Sequence, residues 1–141
     1  MNAGAASALP GVRGIGVDLV ENARMRAALQ RWGARFTGRI FRPSERAYCD
    51  GRAQPAAHYA GRFAVKEAVS KAFGAGGRAQ LYWHDVEVVR HAVTGAPAVR
   101  LSARGQRLAR RRGVGGILVS LSHTRHYAVA LALLVGAKEG A

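Results

Sequence analysis

Hydrophobic positions near the start of the chain change from a period of two to a period of three or four. Apolar residues alternate with Gly or Asp over residues 14–20, which predicts a strand whose two faces differ. The next segment, from about residue 21 to 36, has one apolar stripe at helical spacing. That stripe consists of Met25, Leu29, Trp32 and Phe36. The pattern therefore predicts a β-strand followed directly by an amphipathic helix.

The later elements are bounded by Pro, Ser and Gly at positions typical of helix ends and turns. Three further helices are predicted over residues 43–49, 58–73 and 102–112. Four further strands, the last two forming a hairpin, are predicted over 86–91, 98–101, 117–122 and 127–135. No repeat or linker divides the chain. We therefore expect an α+β fold, with helices packed on a mostly antiparallel sheet, in one domain over 13–141 after a flexible extension over 1–12.

The charge of the chain widens the range of partners. The 141 residues include 22 Lys and Arg against 8 Asp and Glu, a formal net charge of +14. Such a field attracts polyanions, so nucleic acids, phosphorylated small molecules and acidic proteins all remain open. The hydrophobic content of 49% is that of a folded chain and excludes a disordered one.

Cysteine content and hydropathy bear on the compartment. Cys49 is the single cysteine, which excludes an intramolecular disulfide and a cysteine-based zinc site and favours a cytoplasmic location. The longest apolar stretch, 127–137, is far shorter than the roughly 20 residues that span a bilayer. Residues 1–12 do not have the pattern of a secretion signal. No membrane association is expected.

Asp18 is a carboxylate within an otherwise apolar strand. Burying a carboxylate costs free energy unless it is paired or bound to a metal. Gly14 and Gly16 share its face and have no side chains, so we expect open space for a ligand beside Asp18. A salt bridge to one of the many arginines is the alternative that remains open.

Four charged residues interrupt the apolar helix predicted over 58–73. Glu67 and Lys71 are four residues apart, which is the spacing and order of an ordinary helix ion pair. Arg62 and Lys66 have the same spacing and like charge, so they repel unless an anion lies between them. A surface helix with a weak ion pair and an anion-binding helix both fit this pattern.

Ser122, His123 and Thr124 lie at the end of the predicted strand that begins at residue 117. Loops held by a rigid sheet are frequent ligand sites, although Ser and Thr also stabilise turns. A Ser–His nucleophile pair is disfavoured, because adjacent residues of an extended chain point to opposite faces. The same alternation argues against a metal cluster among the acidic and His residues of 84–91.

These segments, in this order and spacing, resemble the holo-[acyl-carrier-protein] synthase family of phosphopantetheinyl transferases. The matching runs are GIGVDLVE at 14–21, AGRFAVKEAVSKAFG at 60–74, and VSLSHT with YAVA at 119–124 and 127–130. The resemblance extends over 14–135. It implies the 4'-phosphopantetheinyl transferase fold and transfer of the 4'-phosphopantetheine group from coenzyme A to a serine of apo acyl carrier protein. The resemblance further implies 3',5'-ADP as the other product and a place in fatty acid biosynthesis, with polyketide biosynthesis as the alternative.

The resemblance also implies a role for each charged position. Asp18 and Glu67 are implied as Mg²⁺ ligands and, with Lys71, as the catalytic residues. The residues implied to contact coenzyme A are Arg62, Lys66, His123 and Thr124. The residues implied to dock the acidic carrier protein are Arg24, Met25, Arg31, Arg35 and Phe36. The family forms homotrimers with active sites at subunit interfaces, which is implied here too.

Two other interpretations of the sequence compete with a transferase function. A nucleic-acid-binding domain follows from the charge alone, but the chain lacks zinc-finger spacing and interleaved aromatics. A non-catalytic module that retains the fold is opposed by the joint presence of Asp18, Glu67, Lys71 and His123. One departure from the family is Arg42, which stands before Pro43 where Thr is common and predicts a weaker helix cap.

Overall fold

Helices and antiparallel sheets make up the part of the chain that the structure, a computed structural model, describes: residues 11–74 and 81–138. The elements are β1 (Val12–Glu21), α1 (Asn22–Ile40), α2 (Pro43–Asp50), α3 (Pro55–Ala72), β2 (Val86–Arg90), β3 (Pro97–Leu101), α4 (Ala103–Arg111), β4 (Val114–His123) and β5 (Tyr127–Gly136). A single 3₁₀ turn, Trp83–Asp85, precedes β2. The α+β prediction is confirmed. Residues 1–10 of the predicted extension lie outside the described residues, and Val12 already belongs to β1.

The strands form a three-stranded sheet in the order β1-β5-β4 and a separate pair, β2-β3. Every pairing is antiparallel, and the predicted hairpin is the β4–β5 pair. Asp18 and Leu121 pair with the same residue of β5, Ala130, so β5 is the central strand. Helix α3 packs across this sheet, and its small residues form the centre of the main hydrophobic core.

Gly14 and Gly16 allow α3 to lie directly against β1. A Cβ atom on Gly14 would lie 2.0 Å from the carbonyl oxygen of Ala72, and one on Gly16 would lie 2.0 Å from that of Ala68. The two glycines do not themselves leave space for a ligand, because the backbone of α3 fills the positions that their side chains would take. The close approach instead places the side chains of α3 next to Asp18.

Helix α1 is longer than predicted and is interrupted. Gly33 has φ 52° and ψ −131°, which breaks the helical hydrogen-bonding phase, and the helix continues to Ile40. Met25, before the break, is 4% exposed, but Trp32 is 50% exposed. Trp32 therefore does not belong to the buried stripe that the spacing predicted.

The face of the three-stranded sheet opposite α3 is apolar and exposed. Because strand residues alternate between faces, the residues between the glycines of β1 point away from the helix. The large apolar residues of this sheet face, each 37–63% exposed, are Ile15, Val17, Leu19, Leu118, Tyr127, Val129 and Leu131. No helix in the described part of the chain combines the length and hydropathy needed to cross a membrane.

Candidate active site

Asp18 and Glu67 line one open cavity of about 380 Å³, here called the Asp18 cavity. Asp18 comes from β1, Glu67 from the middle of α3, and the opposite wall from α1. That wall includes Arg24, Met25, Ala28 and Phe36. The structure therefore brings together the two carboxylates that the resemblance implied as metal ligands.

Lys71 joins this site through an ion pair. Its Nζ lies 2.9 Å from Oδ1 of Asp18 and donates to the carbonyl oxygen of Val17 at 3.3 Å. The Asp18 side chain is 14% exposed and that of Lys71 is 54% exposed. The salt bridge considered for Asp18 is therefore formed, with a lysine rather than an arginine as the partner.

The donor set of the Asp18 cavity fits Mg²⁺. Magnesium in enzymes is held by one or two carboxylates together with substrate phosphates and water. Asp18 and Glu67 supply that number of carboxylates from two rigid elements. Among the described residues no group of three or more His, Cys, Asp or Glu is arranged to hold a metal, so a cage made of protein ligands alone is not found there.

A second pocket, of about 210 Å³, lies around Arg62 and is here called the Arg62 pocket. The Arg62 guanidinium carbon lies 3.8 Å from the ring centroid of Tyr48, and the rings of His58 and His123 are 6.2 Å apart. Arg90 also lies over Tyr48. No carboxylate is among the described residues that line the pocket. This cationic and aromatic lining is suited to an anion.

Arg62 has unused hydrogen-bonding capacity in this pocket. The residue is 6% exposed, and its Nε has no hydrogen-bond partner among the described residues. Burial and the charge of Arg62 lower the pKa of His123 below its ordinary value, so His123 is mainly neutral at pH 7. A bound anion would satisfy the guanidinium and favour the protonated form of His123.

Gly61 allows His123 to lie against α3. A Cβ atom on Gly61 would lie 2.6 Å from Cε1 of His123. Thr124 instead shapes the β4–β5 turn, since its Oγ1 accepts from the amide of Tyr127 at 2.9 Å. Thr124 therefore stabilises a turn, the alternative to ligand binding that the sequence left open. It lines neither the Asp18 cavity nor the Arg62 pocket.

Lys66 does not lie with the other predicted coenzyme A contacts. Its side chain is 1% exposed, and its Nζ lies 2.8 Å from the Glu45 carboxylate. The ammonium also donates to the carbonyl oxygens of Trp83 and Val86. Because this ammonium is buried and paired within the protein, its contact with coenzyme A phosphates is not supported by the geometry. The anion that pairs with Lys66 is Glu45 of α2, and no described contact joins Glu45 to Arg62.

The predicted docking residues divide between the Asp18 cavity and the surface. Arg24 and Phe36 line the cavity, and Arg31 and Arg35 are exposed on α1. Met25 also lines the cavity but is 4% exposed, so it contributes to the core more than to a docking surface.

The sequence reasoning missed three of the described residues with polar side chains that line the Arg62 pocket: Tyr48, His58 and Arg90. They come from α2, α3 and β2, and no local motif joins them. Only His58 stands on the same helix as Arg62, four residues earlier, a spacing that places both on one face. That spacing was the one available signal.

Residues 14–132 match the 4'-phosphopantetheinyl transferase superfamily. The chain belongs to this superfamily. It is 47% identical over 128 residues to a holo-[acyl-carrier-protein] synthase from Desulforudis audaxviator, an alignment that covers 91% of this chain and 96% of that protein. The fold prediction made from the resemblance is thereby confirmed.

Solved structures of the phosphopantetheinyl transferase superfamily resemble the chain over most of its length. The holo-[acyl-carrier-protein] synthase of Neisseria meningitidis has a TM-score of 0.80 at 27% identity and covers 87% of this chain and 98% of its own. The Helicobacter pylori holo-[acyl-carrier-protein] synthase in complex with coenzyme A has a TM-score of 0.75 at 29% identity, covering 85% and 98%. Membership in the superfamily therefore rests on sequence and on fold.

Proposed function

We propose that this protein transfers the 4'-phosphopantetheine group of coenzyme A to a serine of apo acyl carrier protein. The observation that carries the proposal is the Asp18 cavity, which Asp18 and Glu67 line together and beside which Lys71 pairs with Asp18. The 47% identity to a holo-[acyl-carrier-protein] synthase supports this substrate pair. The Helicobacter pylori relative, whose structure is a complex with coenzyme A, supports the donor.

The proposed reaction is a phosphoryl transfer in which the serine oxygen bonds to the β-phosphorus of coenzyme A. The bond from that phosphorus to the bridging oxygen breaks, and 3',5'-ADP leaves with the electron pair. Glu67 accepts the serine proton in this proposal. Lys71, paired with Asp18 at 2.9 Å, stabilises negative charge that develops on the phosphate oxygens.

Asp18 and Glu67 are the residues proposed to hold Mg²⁺. The ion supplies charge neutralisation on the pyrophosphate of coenzyme A. Carboxylates that share one cavity would repel each other without a cation. The chain itself places Lys71 against Asp18 and Arg24 in the cavity wall. The magnesium dependence of the enzyme is part of this proposal.

The Arg62 pocket is proposed to bind a phosphate of coenzyme A through Arg62 and His123. Residues on a helix are rotated by about 100° each, so Arg62 and Lys71, nine residues apart, point to opposite sides of α3. One chain therefore presents the Asp18 cavity and the Arg62 pocket in different directions. This supports active sites that combine the Asp18 cavity of one subunit with the Arg62 pocket of another.

We also propose a homotrimer whose subunits contact each other through the exposed apolar face of the three-stranded sheet. Seven large apolar residues at 37–63% exposure form a patch of the kind that oligomer interfaces cover. A chain of this size also gains core by associating. The acidic carrier protein is proposed to dock on the exposed arginines of α1, Arg24, Arg31 and Arg35, where complementary charge fixes orientation.

The proposed pathway is fatty acid biosynthesis, with polyketide carriers as further acceptors. Cys49 is buried and free, which fits a reducing compartment. The proposed location is therefore the cytoplasm.

Intact-mass analysis of an apo acyl carrier protein tests the proposal. Incubation with this protein, coenzyme A and Mg²⁺ is expected to add one phosphopantetheine group to the carrier. EDTA, Asp18→Asn and Glu67→Gln are each expected to abolish the addition, whereas Glu87→Gln, a carboxylate outside both pockets, leaves it unchanged. If folded protein leaves several apo carriers unmodified, the transferase proposal fails and salt-dependent nucleic-acid binding is the next measurement.

A further inference from the structure

Tyr48 is the aromatic side chain around which the arginines of the Arg62 pocket gather. The guanidinium carbons of Arg62, Arg52 and Arg90 lie 3.8, 4.4 and 5.2 Å from the centroid of its ring. These arginines come from α3, the loop after α2 and the end of β2, so only the tertiary structure brings them to one ring. None of the proposed transferase steps gives Tyr48 a role.

The Tyr48 ring offsets the repulsion between these arginines. Guanidinium groups this close to one another repel, and no carboxylate is among the described residues that line the pocket. A cation over an aromatic face is attracted by the ring, most strongly when the cation is shielded from water. Arg62 is 6% exposed, so its contact with the ring is of this stronger kind.

Arg52 contacts Tyr48 in a different way from the two pocket arginines. Its Nη2 donates to the hydroxyl oxygen of Tyr48 at 2.8 Å, and it does not line the pocket, whereas Arg62 and Arg90 do. The ring of His58 packs edge-on against Tyr48 at 5.7 Å. Tyr48 is therefore held by neighbours while its ring contacts both arginines that line the pocket.

We propose that Tyr48 is a positioning residue for coenzyme A, whose ring keeps Arg62 and Arg90 together to receive one phosphate. This inference rests on the proposed function, in which the Arg62 pocket binds a phosphate of coenzyme A. Without the attraction of the ring, the exposed Arg90 moves away from Arg62, and binding must bring the two charges back together. Tyr48 does not line the Asp18 cavity, so it acts on nucleotide affinity and not on the transfer step.

Calorimetric titration with 3',5'-ADP, without any carrier protein, tests the inference. Tyr48→Phe keeps the attraction of the ring, whereas Tyr48→pentafluorophenylalanine keeps an aromatic ring but reverses its charge distribution. The pentafluoro variant is expected to bind 3',5'-ADP about tenfold more weakly than Tyr48→Phe. Equal affinity of these two variants, or no detectable binding by the wild-type protein, overturns the inference.

Tyr82 provides the matched control. Arg104 lies over its ring at 4.2 Å, and Tyr82 lines neither the Asp18 cavity nor the Arg62 pocket. Tyr82→pentafluorophenylalanine is expected to leave 3',5'-ADP binding unchanged. An equal loss of affinity in this variant would show that the effect does not come from the Arg62 pocket, and it overturns the inference.

The Arg62→Gln background separates positioning from direct contact between the ring and the nucleotide. If Tyr48 acts through the arginines, the difference between its two variants falls to about threefold or less in this background, because only Arg90 remains to be positioned. A full tenfold difference there, about the same as in the wild-type background, means that the ring contacts the nucleotide itself and overturns positioning.

Steady-state kinetics with coenzyme A and an apo acyl carrier protein distinguishes this inference from the proposed function. Relative to Tyr48→Phe, the pentafluoro variant is expected to raise KM for coenzyme A about tenfold and to change kcat less than about twofold. A fall in kcat at unchanged KM overturns the inference. If the wild-type protein modifies no carrier, the transferase proposal fails, and the 3',5'-ADP titrations still decide the role of Tyr48.

Discussion

The ammonium of Lys66 lies 2.8 Å from the carboxylate of Glu45, and both side chains are almost completely excluded from solvent. The carboxylate also accepts from the amide of Arg42 at 2.7 Å and from that of Val88 at 2.9 Å. One buried ion pair therefore ties α2 and β2 to α3. The cap expected to be weak at Arg42 is thereby supported by Glu45.

Removing one partner of this pair leaves the other buried and charged. Lys66→Met is expected to lower the free energy of unfolding by about 3–5 kcal/mol, because Glu45 loses its counter-charge in the core. The double variant Glu45→Gln with Lys66→Met is expected to be more stable than Lys66→Met alone. Urea denaturation measures the free energy of unfolding of the wild-type protein and of both variants. A decrease of less than about 1 kcal/mol in Lys66→Met would contradict a buried pair.

The contact between β1 and α3 predicts opposite effects for two glycine substitutions. Gly16→Ala places a Cβ 2.0 Å from a helix carbonyl oxygen, so it is expected to destabilise the fold by about 1–3 kcal/mol or more. Gly38→Ala is the matched control, since its Cβ would lie 3.9 Å from the nearest atom, on Arg46. At position 38, the greater helix propensity of Ala is expected to stabilise the fold by up to about 1 kcal/mol. Thermal denaturation of the two variants compares them directly.

Lys71 is expected to affect rate and not stability. Lys71→Met removes the charge that we propose stabilises the transferred phosphate, so kcat for carrier modification is expected to fall about 100-fold. The unfolding midpoint is expected to change little, because the side chain is 54% exposed. Lys138→Met, at an exposed position outside the sheets, is the control. Wild-type turnover in Lys71→Met would remove Lys71 from the mechanism.

The histidines of the Arg62 pocket predict a pH dependence of stability. Burial, foremost, lowers the pKa of both His58 and His123 below 6.5, and Arg62 lowers each further. In the unfolded chain both histidines protonate more readily than in the folded protein. Their contribution to the free energy of unfolding is therefore complete above pH 6.5 and is lost as the pH falls below that value. Denaturation midpoints at about pH 7.5 and about pH 5 measure this loss.

Nuclear magnetic resonance titration isolates the contribution of Arg62 to this effect. Arg62→Gln removes the nearby charge, so the pKa of His123 is expected to rise toward 6.5. His84, which lies outside the pocket, serves as the internal reference in the same spectra. An unchanged pKa of His123 would show that Arg62 does not act on it.

The sheet face predicts how the chain assembles. Leu118→Arg places a charge in the exposed apolar patch, on the edge strand β4, where Leu118 is 61% exposed. It is expected to convert the proposed trimer to monomers and, because the active sites then lose a contributing subunit, to abolish carrier modification. Val93→Arg, at a turn residue that is 88% exposed, is the control for added charge. Light scattering after gel filtration reads the mass of each variant.

Local patterns in the sequence predicted most of the helices and strands. The alternation in β1, the cap at Ser102 and the stop at Gly74 each act through neighbouring residues, and the structure confirms all three: Ser102 Oγ accepts from the amide of Gly105, and Gly74 has φ +87°. The interruption of α1 at Gly33 was not predicted. One glycine within a helical pattern does not reveal its own backbone angles.

The sequence alone also determined which residues are chemically unusual, Asp18, Arg62, Glu67, Lys71 and His123 among them. Only the tertiary structure decided where each one lies. Lys66 and Glu67 are adjacent, but a rotation of about 100° directs Lys66 to the core and Glu67 to the Asp18 cavity. In the same way, only the tertiary structure shows that α3 fills the space beside Gly14 and Gly16. Periodicity records which positions share a face, whereas the partner of that face is set by contacts between distant segments, which no local pattern encodes.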